Sequence, residues 1–311
     1  MNPVVCILGP TASGKSELAM DVARRAGGEI INADSMQVYR GLSIGTGVPP
    51  AGWMAEVPHH LYQVLDLDEE PDAARWSREA ARAIQSVWAA GHLPLLVGGT
   101  FFWLRALFVG LSQIPPIQPE VRSRLRMDLA RCGIGPLYER LERVDPAIAA
   151  RLEPRDTQRI LRALEVFEST GVPLSRFQEG AREPAIRARR LNLVLRWERR
   201  MLYERIDRRV AEMVASGLVQ EVRTLLDSGV PADVRALRSA MYRPVVRHVL
   251  GEIPLDQMTR EVAKSHRHYA RRQETWLRHE TGLISVDPTD RDQIFRRIDE
   301  FLAAQNTRIP D

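Results

Sequence analysis

The sequence predicts an α/β protein in which a P-loop NTPase-like, doubly wound parallel sheet is interrupted by an all-helical insertion. Apolar strand-like runs alternate with helical patterns over residues 1–100, a phosphate-binding loop joins the first run to the first helix, and residues 117–188 show helical periodicity alone. Strands that alternate with helices form parallel sheets, whose ligands lie at the carboxyl ends of the strands. A functional site is therefore expected at those ends.

The first strand is predicted at Val4 to Leu8, and a complete phosphate-binding loop joins it to a helix. The loop reads Gly9-Pro10-Thr11-Ala12-Ser13-Gly14-Lys15-Ser16. In such a loop the backbone N–H groups form a concave anion nest, and the helix N-terminus adds its partial positive charge. Lys15 supplies a compact cation, and the Ser16 hydroxyl can bind Mg²⁺. The flanking strand and helix make this match more specific than the pattern alone.

The next two strands end on polar residues. Glu29 to Ala33 reads as a strand followed by Asp34, and Leu93 to Val97 reads as a strand followed by Gly98-Gly99-Thr100, with a helix at about 74–90 between them. Asp34 could be a general base, a Mg²⁺ ligand through water or a helix cap, and the phosphate loop favours catalysis. No acidic residue follows the later strand, which argues against ordinary NTP hydrolysis. Two uses of the phosphate loop stay open: phosphoryl transfer to a small molecule, and binding of a diphosphate leaving group.

The second half of the chain returns to the sheet after the insertion. A proline-rich linker at 113–119 leads into helices at about 120–131, 136–144 and 157–170, and Leu191 to Leu195 then reads as a strand. Helices at about 200–216, 219–227 and 255–279, a strand at 283–286 and a helix from about 290 complete the chain. The pattern predicts a core domain made of 1–116 and 189–311, and a helical insertion domain at 117–188.

The composition is that of a globular protein with a basic bias. The 311 residues are 44% hydrophobic and 27% charged, with a net charge of +4 and an isoelectric point of about 9.4. No apolar run approaches the roughly 20 residues of a membrane span, so a cytoplasmic enzyme without a membrane partner is expected. Cys6 and Cys132 are expected to be buried, inert thiols. His59 and His60 are expected in a loop or a structural role, because no partner lies at metal spacing.

Two stretches, 182–209 and 266–278, interleave arginines with aromatic rings. Arg can contact phosphates and stack on bases, and Tyr269 or Trp276 could stack as well. The same pattern suits a solvated helix face with a buried tryptophan, since charged faces are common on long helices. Both interpretations stay open on this pattern alone.

Taken together, the sequence resembles the tRNA dimethylallyltransferase family, also called tRNA isopentenyltransferases. The matching blocks span nearly the whole chain in the family's order and lie at 9–16, 34–39 with 45–46, 58–61, 97–100, 156–165, 205–206 with 217–218 and 221–222, and 269–278. Four residues depart from the family's pattern: Trp103, Met241, Pro244 and His266. Of these, Met241 stands where the family usually has glycine.

The resemblance implies transfer of the dimethylallyl group from dimethylallyl diphosphate to N6 of the adenosine on the 3′ side of the anticodon in tRNA, with release of diphosphate. It implies Asp34 as the general base and Thr100 as a residue that holds the reacting groups. Lys15 and Arg205 would neutralise the diphosphate, and Ser16 would hold Mg²⁺. The implied partners are dimethylallyl diphosphate and the anticodon stem-loop of tRNA, and a monomer is expected.

An adenine in a stacked anticodon loop must be flipped out to reach such a pocket, and the helical insertion is suited to gripping the loop. The residues implied to bind tRNA are Asp34, Ser35, Met36, Gln37, Thr100, Arg122, Gln158, Arg159, Ile160, Leu161, Arg162, Arg238, Tyr242, Arg243, Arg271, Arg272, Gln273, Trp276 and Arg278. Two other functions stay open. A small-molecule P-loop kinase would turn over ATP without tRNA, and an NTP-switched RNA-binding protein would bind RNA without modifying it.

Overall fold

The structure, a computed structural model, describes residues 1–180 and 182–304 and confirms the predicted α/β class. Within these residues six strands form one sheet in the order β3-β2-β4-β1-β5-β6, and every neighbouring pair is parallel. The strands are β1 (Pro3–Leu8), β2 (Gly28–Asn32), β3 (His59–His60), β4 (Leu93–Gly98), β5 (Arg189–Leu195) and β6 (Leu283–Val286). Their carboxyl ends therefore lie along one edge of the sheet.

The inner strands are buried on both faces, which explains why they read as continuous apolar runs. β1 lies between β4 and β5, with Val5 opposite Leu95 on one side and Leu191 on the other. All three side chains are buried. Burial of such an aliphatic side chain stabilises the fold by about 1.5 to 3 kcal/mol, so the apolar runs hold the centre of the sheet together.

Helices form most of the remaining chain. They are α1 (Lys15–Ala26), α2 (Ala51–Glu56), α3 (Ala73–Ala89), α4 (Phe101–Phe108), α5 (Pro119–Cys132), α6 (Gly135–Val144), α7 (Pro146–Ala149), α8 (Thr157–Thr170), α9 (Leu174–Glu179), α10 (Arg199–Ala215), α11 (Leu218–Asp227), α12 (Arg243–Val249), α13 (Leu255–Leu277) and α14 (Arg291–Ala303). Asp72, Asp156 and Asp290 cap α3, α8 and α14, each by accepting a hydrogen bond from the N–H three residues later. Over the described residues, none of these helices combines the length and the apolar character that a membrane crossing needs.

The two adjacent histidines form an edge strand rather than a loop. β3 pairs with β2, with His59 opposite Ile30. Nε2 of His60 lies 2.6 Å from the carboxylate of Glu29, and Nδ1 of His92 lies 2.5 Å from its other oxygen. A two-residue strand has no periodicity that a sequence pattern could reveal. In the described part of the chain, no group of three or more His, Cys, Asp or Glu side chains could hold a metal ion.

The two cysteines have different environments. Cys6 is fully buried in β1, and burial raises the pKa of its thiol to about 12, as expected for an inert thiol. The expectation of burial is wrong for Cys132, which is exposed at the last residue of α5. Its thiol donates back to the Asp128 carbonyl of the preceding turn (2.9 Å).

Two compact units make up the chain. The first contains Met1–Phe108 together with the residues from Ala185 onward, and the second contains Val109–Pro184. The second unit has a hydrophobic core of its own. Its fully buried residues include Leu125, Leu141, Ile160, Ala163, Leu164 and Val166.

The helical unit begins and ends earlier in the sequence than the predicted 117–188. Ile114 and Ile117, expected in a linker, pack against the core of the second unit. At the other end, the Ala185 N–H donates to the Leu107 carbonyl (2.9 Å), and both residues belong to the first unit. The proline-rich composition predicts a linker, but the two isoleucines are partly buried against the neighbouring helical core.

Candidate functional site

The phosphate loop follows β1, an inner strand that pairs with β4 on one side and β5 on the other. Gly14 precedes α1 in the left-handed conformation (φ 90°) and has no side chain that could cap the helix. The first N–H groups of an α-helix have no partner inside the helix, so those of α1 remain available to a ligand. Together with the helix dipole, they make this end of α1 suited to binding an anion.

Gln273 of α13 braces the loop from the opposite end of the chain. Its side-chain oxygen accepts a hydrogen bond from the Thr11 N–H (2.9 Å), and its side-chain nitrogen donates to the Gly99 carbonyl (3.0 Å). A Cβ on Gly99 would lie 2.0 Å from that nitrogen, so any larger residue here would displace the Gln273 amide. Gln273 is predicted as a tRNA contact, but its side chain is buried and links the phosphate loop to the end of β4.

Arg205, predicted as a catalytic residue, is fixed beside the loop. Its Nε donates to the Ala12 carbonyl (2.9 Å), and its guanidinium lies 4.4 Å from the centre of the Trp197 ring. Trp197 in turn donates to the Ser13 carbonyl (3.0 Å). These two side chains hold the Ala12 and Ser13 carbonyls of the loop by hydrogen bonds. The N–H groups at the start of α1 stay available to an anion.

Lys15 lies in the same site with its charge only partly balanced. Its Nζ donates to the Pro10 carbonyl of the loop (2.7 Å). The pKa of Lys15 is lowered to about 8, mainly by burial; the nearby Asp34 opposes this shift, and Arg209 adds to it. An anion bound in the nest would stabilise the protonated lysine.

Asp34 and Thr100 come together at the ends of β2 and β4, as the sheet topology predicts. One carboxylate oxygen of Asp34 accepts a hydrogen bond from the Met36 N–H (2.9 Å). The Thr100 hydroxyl accepts from the Ser35 N–H (3.0 Å) and also contacts the Tyr269 hydroxyl. Over the residues that the structure describes, the second Asp34 oxygen accepts no hydrogen bond, so it is the one that a ligand could use.

Two adjoining cavities share Asp34. The nest cavity, about 160 Å³, is lined by loop residues 11–17. The side cavity, about 170 Å³, has Met241 and His266 among its lining residues. Asp34 and Arg209 line both cavities. A carboxylate thus lies where a ligand in the nest and a ligand in the side cavity would meet.

Arg209 is a functional candidate that the sequence analysis missed. A Cβ on Gly47 would lie 1.9 Å from an Arg209 nitrogen, so the glycine makes room for the guanidinium. Burial lowers the pKa of Arg209, and Asp34 raises it. The residue lies one helical turn after Arg205 on α10, and this spacing of four residues could have indicated a shared face.

Glu221 of α11 organises a wall of the site. Its carboxylate accepts from the N–H groups of Ser43 and Ile44 (both 2.7 Å) and of Gly45 (3.3 Å). The hydroxyl of Tyr242 also donates to it (2.8 Å). Tyr242 is fully buried, which leaves only its backbone for the predicted contact with tRNA.

The other predicted tRNA contacts divide by exposure. Gln37 is buried and donates to the Gly47 carbonyl (2.7 Å), and Ile160 is buried in the core of the second unit. The half-buried ones are Asp34, Ser35, Met36, Thr100, Arg122, Leu161 and Trp276. The exposed ones are Gln158, Arg159, Arg162, Arg238, Arg243, Arg271, Arg272 and Arg278.

The four departures from the family's pattern have distinct environments. Trp103 is buried and stacks on Trp76, with 4.9 Å between the ring centres. Pro244 lies in the first turn of α12, where its missing N–H costs no hydrogen bond. Met241 and His266 both line the side cavity. Two departures are therefore structural, and two lie in the site.

Comparison with known families accounts for nearly the whole chain. The family described as IPP transferase matches residues 37–280, and the family described as isopentenyl transferase matches residues 2–58.

Curated relatives match at high identity over most of their length. A tRNA dimethylallyltransferase of Geobacter metallireducens is 46% identical over 284 residues, covering 91% of this chain and 92% of that protein. A tRNA dimethylallyltransferase of Geobacter sulfurreducens is 44% identical over 292 residues, covering 94% of each.

Solved structures have the same fold. The full-length tRNA isopentenylpyrophosphate transferase of Bacillus halodurans matches with a TM-score of 0.70 and 32% identity, over 98% of this chain and 96% of that one. A eukaryotic dimethylallyltransferase acting on tRNA matches with a TM-score of 0.81 and 27% identity, over 98% of this chain and 80% of that one.

Proposed function

The chain belongs to the tRNA dimethylallyltransferase family, a family of prenyltransferases. We propose which of its residues carry out the reaction and which position of tRNA it modifies. Dimethylallyl diphosphate is the donor, and N6 of the adenosine on the 3′ side of the anticodon is the acceptor. The observation that carries this proposal is the pair of adjoining cavities that share Asp34. A reaction between two substrates requires such a junction, with an anion site on one side and a proton acceptor at the meeting point.

The donor's diphosphate is assigned to the nest cavity. Lys15, Arg205 and Arg209 supply positive charge around the helix N-terminus, and this charge stabilises the negative charge that develops on the leaving oxygen. In the side cavity, the N6 lone pair attacks the allylic carbon while the C–O bond to diphosphate breaks. One N6 proton passes to the free oxygen of Asp34, and diphosphate leaves with the electron pair of the broken bond.

The residues of the nest also fit a magnesium ion. Ser16 lies at the first turn of α1, lines the nest cavity and offers a hydroxyl oxygen. Mg²⁺ is usually held by one or two protein oxygens together with substrate phosphates and water, and a cage of carboxylates is not needed. When bound, the ion would neutralise the diphosphate charge. The protein's own part is to fix the Ser16 hydroxyl beside the N–H groups that bind the phosphate.

For tRNA, the proposal rests on exposed arginines and on base flipping. Arg238, Arg243, Arg271, Arg272 and Arg278 are exposed in the first unit, and Arg159 and Arg162 are exposed in the second. Arginines of this kind bind the phosphate backbone, and the unstacked adenine enters the cavity. We also propose that the protein acts as a monomer in the cytoplasm, where its substrate tRNA is found.

The decisive experiment incubates the protein with radiolabelled dimethylallyl diphosphate, Mg²⁺ and an unmodified anticodon stem-loop. The expected product is a loop that carries the label on N6 of the adenosine 3′ to the anticodon, identified by nucleoside mass spectrometry. A loop with guanosine at that position is the matched control and should stay unlabelled. ATP turnover by the protein alone, with no label in the RNA, would instead support the small-molecule kinase.

A further inference from the structure

His266 lies in the wall of the side cavity and carries a polar atom that the mechanism above does not use. The side chain is 2% exposed and lines the cavity from α13. Its Nδ1 lies 3.0 Å from the Val262 carbonyl, one turn earlier in the same helix. A carbonyl only accepts hydrogen bonds, so Nδ1 carries the proton and donates it.

The other ring nitrogen, Nε2, is therefore an acceptor. Burial, with a further contribution from Arg209, lowers the pKa of His266 to about 4, so the ring is neutral near pH 7. A neutral imidazole with its proton on Nδ1 has a lone pair on Nε2. Among the described residues, the Val262 carbonyl is the hydrogen-bond partner of this ring. Polar atoms of a side chain that is this deeply buried usually have a hydrogen-bond partner, and here a ligand in the cavity can supply the donor.

The two substrates of the proposed function, on which this inference rests, differ in the donors they bring. The dimethylallyl chain offers only C–H groups, and its diphosphate offers oxygens. The acceptor adenosine brings an exocyclic amine with two N–H groups. We propose that Nε2 of His266 accepts a hydrogen bond from the N6–H that remains in the product, while Asp34 accepts the N6–H that is lost.

Two acceptors on one amine have consequences for geometry and for specificity. Fixing both N–H groups directs the nitrogen lone pair, so that it points away from Asp34 and His266 and toward the allylic carbon. A guanine in the same orientation would place its O6, an acceptor, against two other acceptors. Such a contact is repulsive and would exclude guanine from the cavity.

A second observation links His266 to this chain's own cavity. Met241 and His266 are two of the four departures from the family's pattern, and they line the same cavity although they belong to different segments. Met241 gives this cavity an apolar side chain, and His266 gives it a hydrogen-bond acceptor. The cavity therefore offers a ligand apolar contact and an acceptor together.

The test compares His266→Gln with His266→Met, two side chains of similar length and volume. Glutamine retains an acceptor oxygen and methionine does not. We expect His266→Met to weaken binding of an anticodon stem-loop by roughly 5- to 30-fold, the range for a buried hydrogen bond, and His266→Gln to restore most of it. Affinity for dimethylallyl diphosphate should change little in either variant, since the nest is separate.

A base substitution separates this contact from a structural role. A stem-loop with purine riboside in place of the acceptor adenosine lacks the amine and introduces no clash. The wild-type protein should bind this loop more weakly than the adenosine loop, whereas His266→Met should bind the two with a much smaller difference. Equal losses on both loops would overturn the contact between His266 and the amine. Failure of the wild-type protein to label the adenosine loop would contradict the proposed function, independently of this binding cycle.

Discussion

The nest in the first unit and the face of α8 in the second unit carry their charged groups in opposite ways. In the nest, the backbone of the phosphate loop is held by residues from far along the chain: Gln273 binds the Thr11 N–H, and Arg205 binds the Ala12 carbonyl. On α8, the arginines pair with acids three residues away, Arg159 with Asp156 (3.1 Å) and Arg162 with Glu165 (3.5 Å).

This difference indicates what each region is built to bind. Long-range braces fix polar groups to within a fraction of an ångström, which a bond-breaking step requires. Exposed local ion pairs are worth about 0 to 1 kcal/mol, so an arginine can leave its acid for an RNA phosphate at little cost. Substitutions in the nest should therefore change single steps strongly, and substitutions on the exposed face should change affinity weakly and in a salt-dependent way.

The largest effect is expected at the junction of the two cavities. Asp34→Asn keeps the shape and the oxygen that binds the Met36 N–H but removes the proton acceptor, so the single-turnover transfer rate should fall by roughly 10² to 10⁴. Donor affinity should stay near that of the wild type. Asp66→Asn, an exposed carboxylate paired with Arg40, is the control and should transfer normally. An unchanged single-turnover rate in Asp34→Asn would show that another group takes the proton.

Much of this junction could be predicted from sequence, because apolar runs define strands and strands define where their ends meet. β1, β2, β4, β5 and β6 are confirmed close to their predicted positions, and Asp34 and Thr100 meet at the ends of β2 and β4. α4 was missed, because an apolar segment directly after a strand has no polar face to give it a helical period.

The remaining site residues depend on tertiary contacts that no local pattern encodes. Glu221 acts through backbone N–H groups of a loop nearly 180 residues earlier in the chain. His266 enters the cavity only because α13 presents that side of the helix to it. Gln273 reads as part of an exposed basic block, whereas its side chain is buried against the phosphate loop.

The next effect concerns the nest itself. Lys15→Met and Ser16→Ala should each weaken productive use of the donor, by roughly 10²-fold for the loss of one oriented charge or hydrogen-bond group. The Ser16 defect should be partly relieved by higher Mg²⁺ concentration, and the Lys15 defect should not. Lys264→Met removes the chain's other lysine, an exposed residue of α13, and serves as the control. If donor titrations gave both nest variants the wild-type affinity, the phosphate loop would not be the diphosphate-binding site.

A pH titration sharpens the role of Lys15. Burial lowers the pKa of Lys15 to about 8, so the free enzyme holds the charged lysine below that pH and loses it above. Affinity for the anionic donor should therefore fall as pH rises through 8, by up to about tenfold per pH unit if one proton is linked to binding. The ratio of wild-type to Lys15→Met affinities cancels the titration of the ligand. A ratio that stays constant between pH 7 and 9.5 would mean that Lys15 keeps its charge throughout.

The smallest expected effect tests whether the exposed arginines bind RNA or only keep the surface solvated. Each arginine that neutralises an RNA phosphate releases counterions, so Arg159→Ala, Arg162→Ala and Arg278→Ala should each lower the slope of log affinity against log salt by about 0.7 to 0.9. Donor affinity should not change, because the nest meets that charge separately. Arg260→Ala is the control, since this arginine is also exposed and paired locally, with Asp256 (2.8 Å), but lies in the N-terminal part of α13, away from the basic block. If the three variants kept the wild-type slope, their arginines would be solvated surface. The RNA-binding half of the comparison would then be wrong, and only the role of the nest would stand.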